Sequence, residues 1–164
     1  MSCTMYLDRD GVFYVCSRNL SVAQDDNNPL WQLAVKYNVE RQLRDALLFG
    51  VAVQGEVVGP GIQGNIYNLT DVDFYVFDMY NAVQAEYLPP DAVRTLCLLM
   101  QMKHVPVISQ AQALTTSDRD WYIDQADGTS MITPGVAREG IVYKSCNGRQ
   151  SFKAISNKYL LKHC

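Results

Sequence analysis

An α+β domain of antiparallel sheets flanked by helices is the fold class this sequence predicts, and three observations predict it. Two β-prone runs, 2–7 (SCTMYL) and 12–17 (VFYVCS), are joined by Asp8-Arg9-Asp10-Gly11, and Asp-Gly between such runs signals a hairpin. The arrangement recurs late in the chain, where 140–143 (GIVY) and 151–155 (SFKAI) flank Asn147-Gly148. Between the hairpins, apolar residues recur at helical spacing over 29–48 and 89–102, with further β-prone runs at 51–58 and 73–79. Hairpins make antiparallel neighbours, and helices that do not alternate strictly with strands point to α+β rather than a parallel α/β sheet.

At 164 residues the chain is large enough to bury one core, and a single domain spanning 1–164 is expected. A hydrophobic share of 48% with 19% charged residues suits a globular protein and excludes a disordered one. The five cysteines, Cys3, Cys16, Cys97, Cys146 and Cys164, contain no CxxC pair and are accompanied by two histidines. That pattern points away from a zinc site or a disulfide framework and toward reduced thiols in a cytoplasmic protein. No apolar run approaches the ~20 residues that a membrane helix needs, and the N-terminus lacks the layout of a signal peptide.

Net charge is −3, yet it is unevenly spread. Residues 135–164 carry six Lys or Arg against one acid, whereas 1–134 carry eight against sixteen. A basic C-terminal segment on an acidic chain marks where a polyanion could be handled.

Taken in order, the run at 12–17 leads into Ser17-Arg18-Asn19, and a polar loop follows at 24–29. Pro29 suits a first helical turn, and Trp31, Val35, Val39, Leu43 and Leu47 form an i+4 stripe that predicts one amphipathic helix to about residue 48. The strand at 51–58 is apolar except where Glu56 emerges. A carboxylate there needs a partner, and Arg18 or a ligand hydroxyl would each serve. Gly59, Gly61 and Gly64 punctuate the loop that follows. In DFYVFDM (73–79), period-two alternation puts Phe74, Val76 and Asp78 on one face and Tyr75, Phe77 and Met79 on the other. The helix at 89–102 buries Val93, Leu96, Cys97 and Met100, a short strand is predicted at 105–108, and a helical patch at 118–125. His104 has no chemical role in this reading. The last hairpin brings Glu139, Lys144 and Lys153 onto one ribbon, a grouping that suits a polyanion held through a divalent cation.

Glu-Gly-Ile-Val-Tyr-Lys and Ser-Phe-Lys-Ala-Ile-Ser-Asn resemble the last two signature motifs of the covalent nucleotidyltransferase superfamily, most closely those of ATP-dependent RNA ligases. Upstream and in order stand SRN at 17–19, QGEVVGPGIQGN at 54–65 and DFYVFD at 73–78, which resemble three further motifs of that family. The resemblance implies an ATP-grasp-like nucleotidyltransferase core. It implies that Arg18 helps organise the nucleotide pocket and that Glu56 contacts the ribose of ATP. One aromatic ring should stack on adenine, with Phe74 favoured and Phe77 the alternative. Glu139 would position Mg²⁺ or Mn²⁺, while Lys153, assisted by Lys144, would neutralise charge at the α-phosphate. AMP would then pass through the enzyme to the 5′-phosphate of RNA and be displaced by a 3′-hydroxyl, making RNA ends the partners.

One family motif is not found. No Lys-x-Asp-Gly occurs, and no lysine precedes Lys36. A lysine amine is what attacks the α-phosphate in this chemistry. The expectation is therefore an N-terminally truncated ligase core, inactive alone and missing an oligonucleotide-binding module. The alternative is a non-catalytic nucleotide- or RNA-end-binding module derived from such a ligase.

Overall fold

The first predicted hairpin forms as β1 (Ser2–Leu7) and β2 (Phe13–Ser17). Its turn is held by Asp8, whose Oδ1 accepts from the backbone N–H groups of Asp10 and Val12 at 3.0 and 2.7 Å. β3 (Ser21–Val22) pairs with β2, while β4 (Val51–Val58) pairs with β1, β5 (Asp73–Asn81) with β4 and β6 (Glu86–Tyr87) with β5, all antiparallel. The order across the main sheet is β3-β2-β1-β4-β5-β6. In this computed structural model, residues 1–110 and 112–163 are described.

Three helices cover one face of that sheet. They are α1 (Pro29–Lys36), α2 (Val39–Asp45) and α3 (Pro90–Leu99). Met5 and Leu7 of β1, Val53 and Val57 of β4, and Phe74, Val76 and Met79 of β5 are fully buried there against Leu30, Val39, Leu43, Val93 and Cys97. On the opposite face of the same strands, Ser2, Thr4, Tyr6, Gln54 and Glu56 are only half-buried. Further along the chain, α4 (Arg119–Ala126) packs on a separate two-stranded ribbon, β8 (Gly140–Lys144) with β9 (Ser151–Ile155), through Tyr122, Ala126 and Ala154; α5 (Asn157–His163) follows. Among the described residues no helix is long and apolar enough to cross a membrane, and Cys3, Cys16, Cys97 and Cys146 carry free thiols. Cys164 lies outside the described residues.

Three expectations are corrected. The helix predicted from Pro29 to about residue 48 is two helices, broken at Tyr37-Asn38 where Asn38 adopts a left-handed φ of 51°. Gln42 fixes the break by donating from Nε2 to the carbonyls of Tyr37 and Met100 at 2.7 and 2.8 Å. As a result Trp31, Val39 and Leu43 are buried, while Val35 and Leu47 of the same predicted stripe are exposed. The short strand predicted at 105–108 lies instead at β7 (Lys103–His104), which pairs with β5 in parallel. Val105 still donates to the Val76 carbonyl at 2.8 Å, and Pro106, lacking an N–H, ends the ladder.

The third correction concerns β5. Strict alternation fails because the β4–β5 register shifts between Gln54 and Gly55: Gln54 faces Asp78 while Gly55 faces Val76, leaving Phe77 as the extra residue of a bulge. Phe74 and Val76 therefore point into the core, and Asp78 no longer shares their face. Gly55 is the counterpart of this packing. A Cβ built there would lie 2.4 Å from the Phe74 ring and 2.6 Å from the Tyr75 carbonyl oxygen.

Asp73, 7% exposed, ties the helical layer to the sheet edge. It accepts from the Tyr37 hydroxyl, Lys103 and the Phe74 N–H, with Lys36 at 3.4 Å. Burial raises its pKa, but the hydrogen bonds from Lys103 and Tyr37 outweigh it and hold the carboxyl below its ordinary range. A carboxyl depressed in the folded state contributes stability at pH values above its unfolded pKa and loses it as pH falls through the folded value. Urea titrations below about pH 4 should therefore show a loss of stability that Asp73→Asn flattens. Gly55→Ala should cost about 1–3 kcal/mol by overpacking, seen as a melting temperature lowered by about 2–4 °C for each kcal/mol.

Candidate active site

The open face of the main sheet carries a cavity of about 710 Å³ lined by Met1, Ser2, Arg18, Glu56, Gly61, Ile62, Gln63 and Phe77. Each side of it has a local origin. Arg18 projects from just beyond the end of β2, and Glu56 from the open-face side of β4. The loop 61–63 closes one wall because Gly59 turns with φ +125°, its α-carbon so near the Asp71 carbonyl that an added Cβ would sit 2.5 Å from that oxygen. Phe77 reaches the cavity from the open-face side of β5, at the bulge. The carboxylate of Glu56 pairs with the amino group of Met1, not with Arg18, and among the described residues no acid pairs with Arg18.

The ribbon borders this region through Lys144. Its Nζ lies 2.7 Å from Asp78, donates to the Phe77 carbonyl and stands 5.7 Å from the centroid of the Phe77 ring. At the other end of the ribbon Lys153 pairs with Glu139, both side chains about two-fifths exposed, a pair that contributes little to stability and leaves both groups accessible. So the hairpin unites Glu139 with Lys153 as the sequence suggests, whereas Lys144 is directed to the main sheet. Tyr67 lies in the loop beyond the cavity wall; burial pushes its hydroxyl up, and Glu139, Tyr159 and Glu56 push it in the same direction. The Tyr67 backbone carbonyl is anchored by the Thr133 hydroxyl at 2.6 Å.

The ring favoured for stacking is corrected: Phe74 is fully buried in the core and away from the cavity, and Phe77, the alternative, is the one that lines it. Sequence reasoning missed Tyr67, Gln63 and Asp78. Asp78 was open to the argument applied to Glu56, an acid emerging from an apolar strand; Tyr67 and Gln63, in a loop without periodicity, gave no signal. His104 neighbours Lys144 and Asp78; burial, then Lys144 and Arg94, hold its imidazole below the usual range despite Asp78 and its own hydrogen bond, keeping it neutral at pH 7. A smaller cavity of about 370 Å³ at the α1–α2 break, between Lys36, Arg41 and Leu99, shares no residue with this site.

An accessible ring, an arginine without an acidic partner and two lysine–carboxylate pairs at the margin have the make-up of a polyanion-handling site built on a mixed sheet and helix domain. Within that class, this chain belongs to the RNA ligase family, whose model matches residues 1–159. Among solved structures it is similar to the RNA ligase of Naegleria gruberi. A lysine-to-alanine variant of that ligase with ATP and Mn is 36% identical over 99% of this chain, with a TM-score of 0.91. A lysine-to-methionine variant with AMP and Mn, and the ligase with PPi, each give 36% identity, the same coverage and 0.90. This chain spans about half the length of those proteins, 48% in each case. No curated protein matches it.

The contrast between the two phenylalanines is testable by paired substitution. Phe74→Ala should destabilise the fold by about 3–5 kcal/mol, as buried aromatic truncations do. Phe77→Ala should leave the melting temperature within a few degrees of the parent and weaken nucleotide binding, read by calorimetric titration of each variant with ATP.

Proposed function

We propose that this chain is the nucleotide-binding core of an ATP-dependent RNA ligase, acting on RNA 5′-phosphate and 3′-hydroxyl ends. The observation that carries this reading is the convergence of Arg18, Glu56 and Phe77 on one cavity with Lys144 tethered beside it. The ATP, AMP and Mn present in structures of the Naegleria gruberi ligase support it.

In this reading the Phe77 ring supports the adenine from the open side of β5, while Val76 before it stays in the core and Asp78 after it holds Lys144. The Glu56 carboxylate accepts from the ribose hydroxyls once its present partner moves aside. Arg18 and Lys144 attract the phosphates, and Lys153 stabilises charge developing on the α-phosphate as the bond to pyrophosphate breaks. Lys144 can do so without losing its alignment, because Asp78 and the Phe77 carbonyl hold it from the other side. Glu139 suits a hard cation, Mg²⁺ or Mn²⁺, which prefers oxygen ligands and when bound neutralises phosphate charge. Among the described residues no three carboxylate, thiol or imidazole side chains gather at one point, so phosphate oxygens and water would complete its shell. That coordination is usual for Mg²⁺ with nucleotides.

This sequence holds no Lys-x-Asp-Gly, and none of its lysines is assigned the nucleophilic role. The chain alone is therefore expected to bind ATP without taking AMP covalently. We propose in addition that it works with an oligonucleotide-binding module and resides in the cytoplasm, where its free thiols would stay reduced. With Mg²⁺ present, Lys153→Ala and Glu56→Ala should each weaken ATP binding roughly tenfold or more, the loss expected for a charge-assisted hydrogen bond. Incubation with α-labelled ATP should leave no label on the chain. Unchanged affinity in both variants would overturn the pocket assignment, and a labelled chain would overturn the absence of a nucleophile.

A further inference from the structure

On the face of the main sheet that the helices leave open, four tyrosines lie in one cross-strand row. Register sets Tyr14 against Tyr6, Tyr6 against Ala52, Ala52 against Tyr80 and Tyr80 against Tyr87, so five adjacent strands contribute one position each. The rings form two pairs. Tyr6 and Tyr14 are stacked with centroids 6.1 Å apart, and Tyr80 and Tyr87 meet edge to face at 5.0 Å. Ala52, 8% exposed, stands between the pairs, whose backbones lie two strand spacings, about 10 Å, apart. None of the four rings belongs to the core, and Tyr14 and Tyr87 are 36% and 42% exposed. Packing therefore does not account for them.

We propose that this row is a stacking platform for the bases of a single-stranded RNA end whose terminal phosphate lies at the Arg18–Phe77 cavity; the proposal rests on the ligase reading above. Continuity with the cavity is the first argument. Ser2 and Glu56, which line it, sit four positions along β1 and β4 from Tyr6 and Ala52, on the same face and about 13 Å away. Charge is the second. It favours the Tyr80–Tyr87 end: the ribbon brings Lys144, paired with Asp78, to the neighbouring row, and the turn carrying Gly148 and Arg149 lies against the Leu88 backbone, next to Tyr87, whereas Asp8 and Asp10 flank Tyr14. Chemistry is the third. Aromatic rings spread over an open sheet offer π-faces to unstacked bases, which a single strand presents and a duplex hides.

The test is fluorescence anisotropy of a labelled, 5′-phosphorylated single-stranded RNA with the whole chain and ATP present. Tyr14→Ala and Tyr87→Ala remove exposed rings, so the fold should survive; circular dichroism checks it. Each should weaken RNA binding about tenfold, as the loss of one base–aromatic stack does, without changing the slope of affinity against salt. Tyr87→Phe should retain parental affinity, and in both alanine variants ATP affinity should stay constant. Parental RNA affinity in both alanine variants, with ATP binding intact, overturns the platform and leaves the ligase reading standing. Equal competition by duplex RNA overturns it, as does a dimer that Tyr87→Ala dissolves, which would make a second copy the occupant. Loss of ATP binding by the folded parent, with tyrosine-dependent RNA binding retained, would instead overturn the cavity assignment and uphold the row.

Discussion

The bulge at Phe77 is the constraint on which the site depends. A regular strand sends consecutive side chains to opposite faces, so a strand cannot present two neighbouring residues to one cavity. The register shift opposite Gln54 and Gly55 removes that limit at one point. Before it, Phe74 and Val76 complete the core; at it, Phe77 turns to the cavity, and after it Asp78 resumes the ladder on the open face. Gly55 makes the shift compatible with close packing, since any side chain there would meet the Phe74 ring. A single backbone irregularity thus sets Asp78 beside Phe77 on the open face and returns Met79 to the core.

The same irregularity locates the ribbon. Lys144 bonds both to the Asp78 carboxylate and to the Phe77 carbonyl, so the second sheet is fastened to the first at the bulge. The uneven charge of the chain acquires a structural meaning here. Its acidic larger part supplies Asp78, its basic last segment supplies Lys144, and their attraction across a partly desolvated contact brings the lysine-bearing ribbon to the margin of the cavity. Glu139 and Lys153 remain at the accessible end, where water screens their pairing and a charged ligand can replace it.

Local chemistry was legible in the sequence, and conformations imposed by distant groups were not. Both hairpins, the apolar strand around Glu56 and the helix that buries Val93 and Cys97 follow from turn residues and periodicity. The break at Asn38 does not, because the Met100 carbonyl that helps to hold Gln42 lies far along the chain. Nor do the choice between Phe74 and Phe77, which follows from the face of β5 that the helices cover, and the bulge that puts Asp78 beside Phe77. Arg18, Glu56 and Phe77 were all named from the sequence and do line one cavity, while Lys144 was named without its partner. Tyr67 sits in an aperiodic loop, where neither turn residues nor periodicity single it out.

The margins of the main sheet have a consequence of their own. Its outermost strands, β3 and β6, are two residues long each. An edge so brief offers too few free N–H and C=O groups to template another strand, which protects the molecule from lateral aggregation. It also means that this sheet is not widened by recruitment. Whatever engages the domain must settle on a face or against a loop, where side chains rather than backbone determine the fit, and recognition here is accordingly a matter of ring, charge and shape.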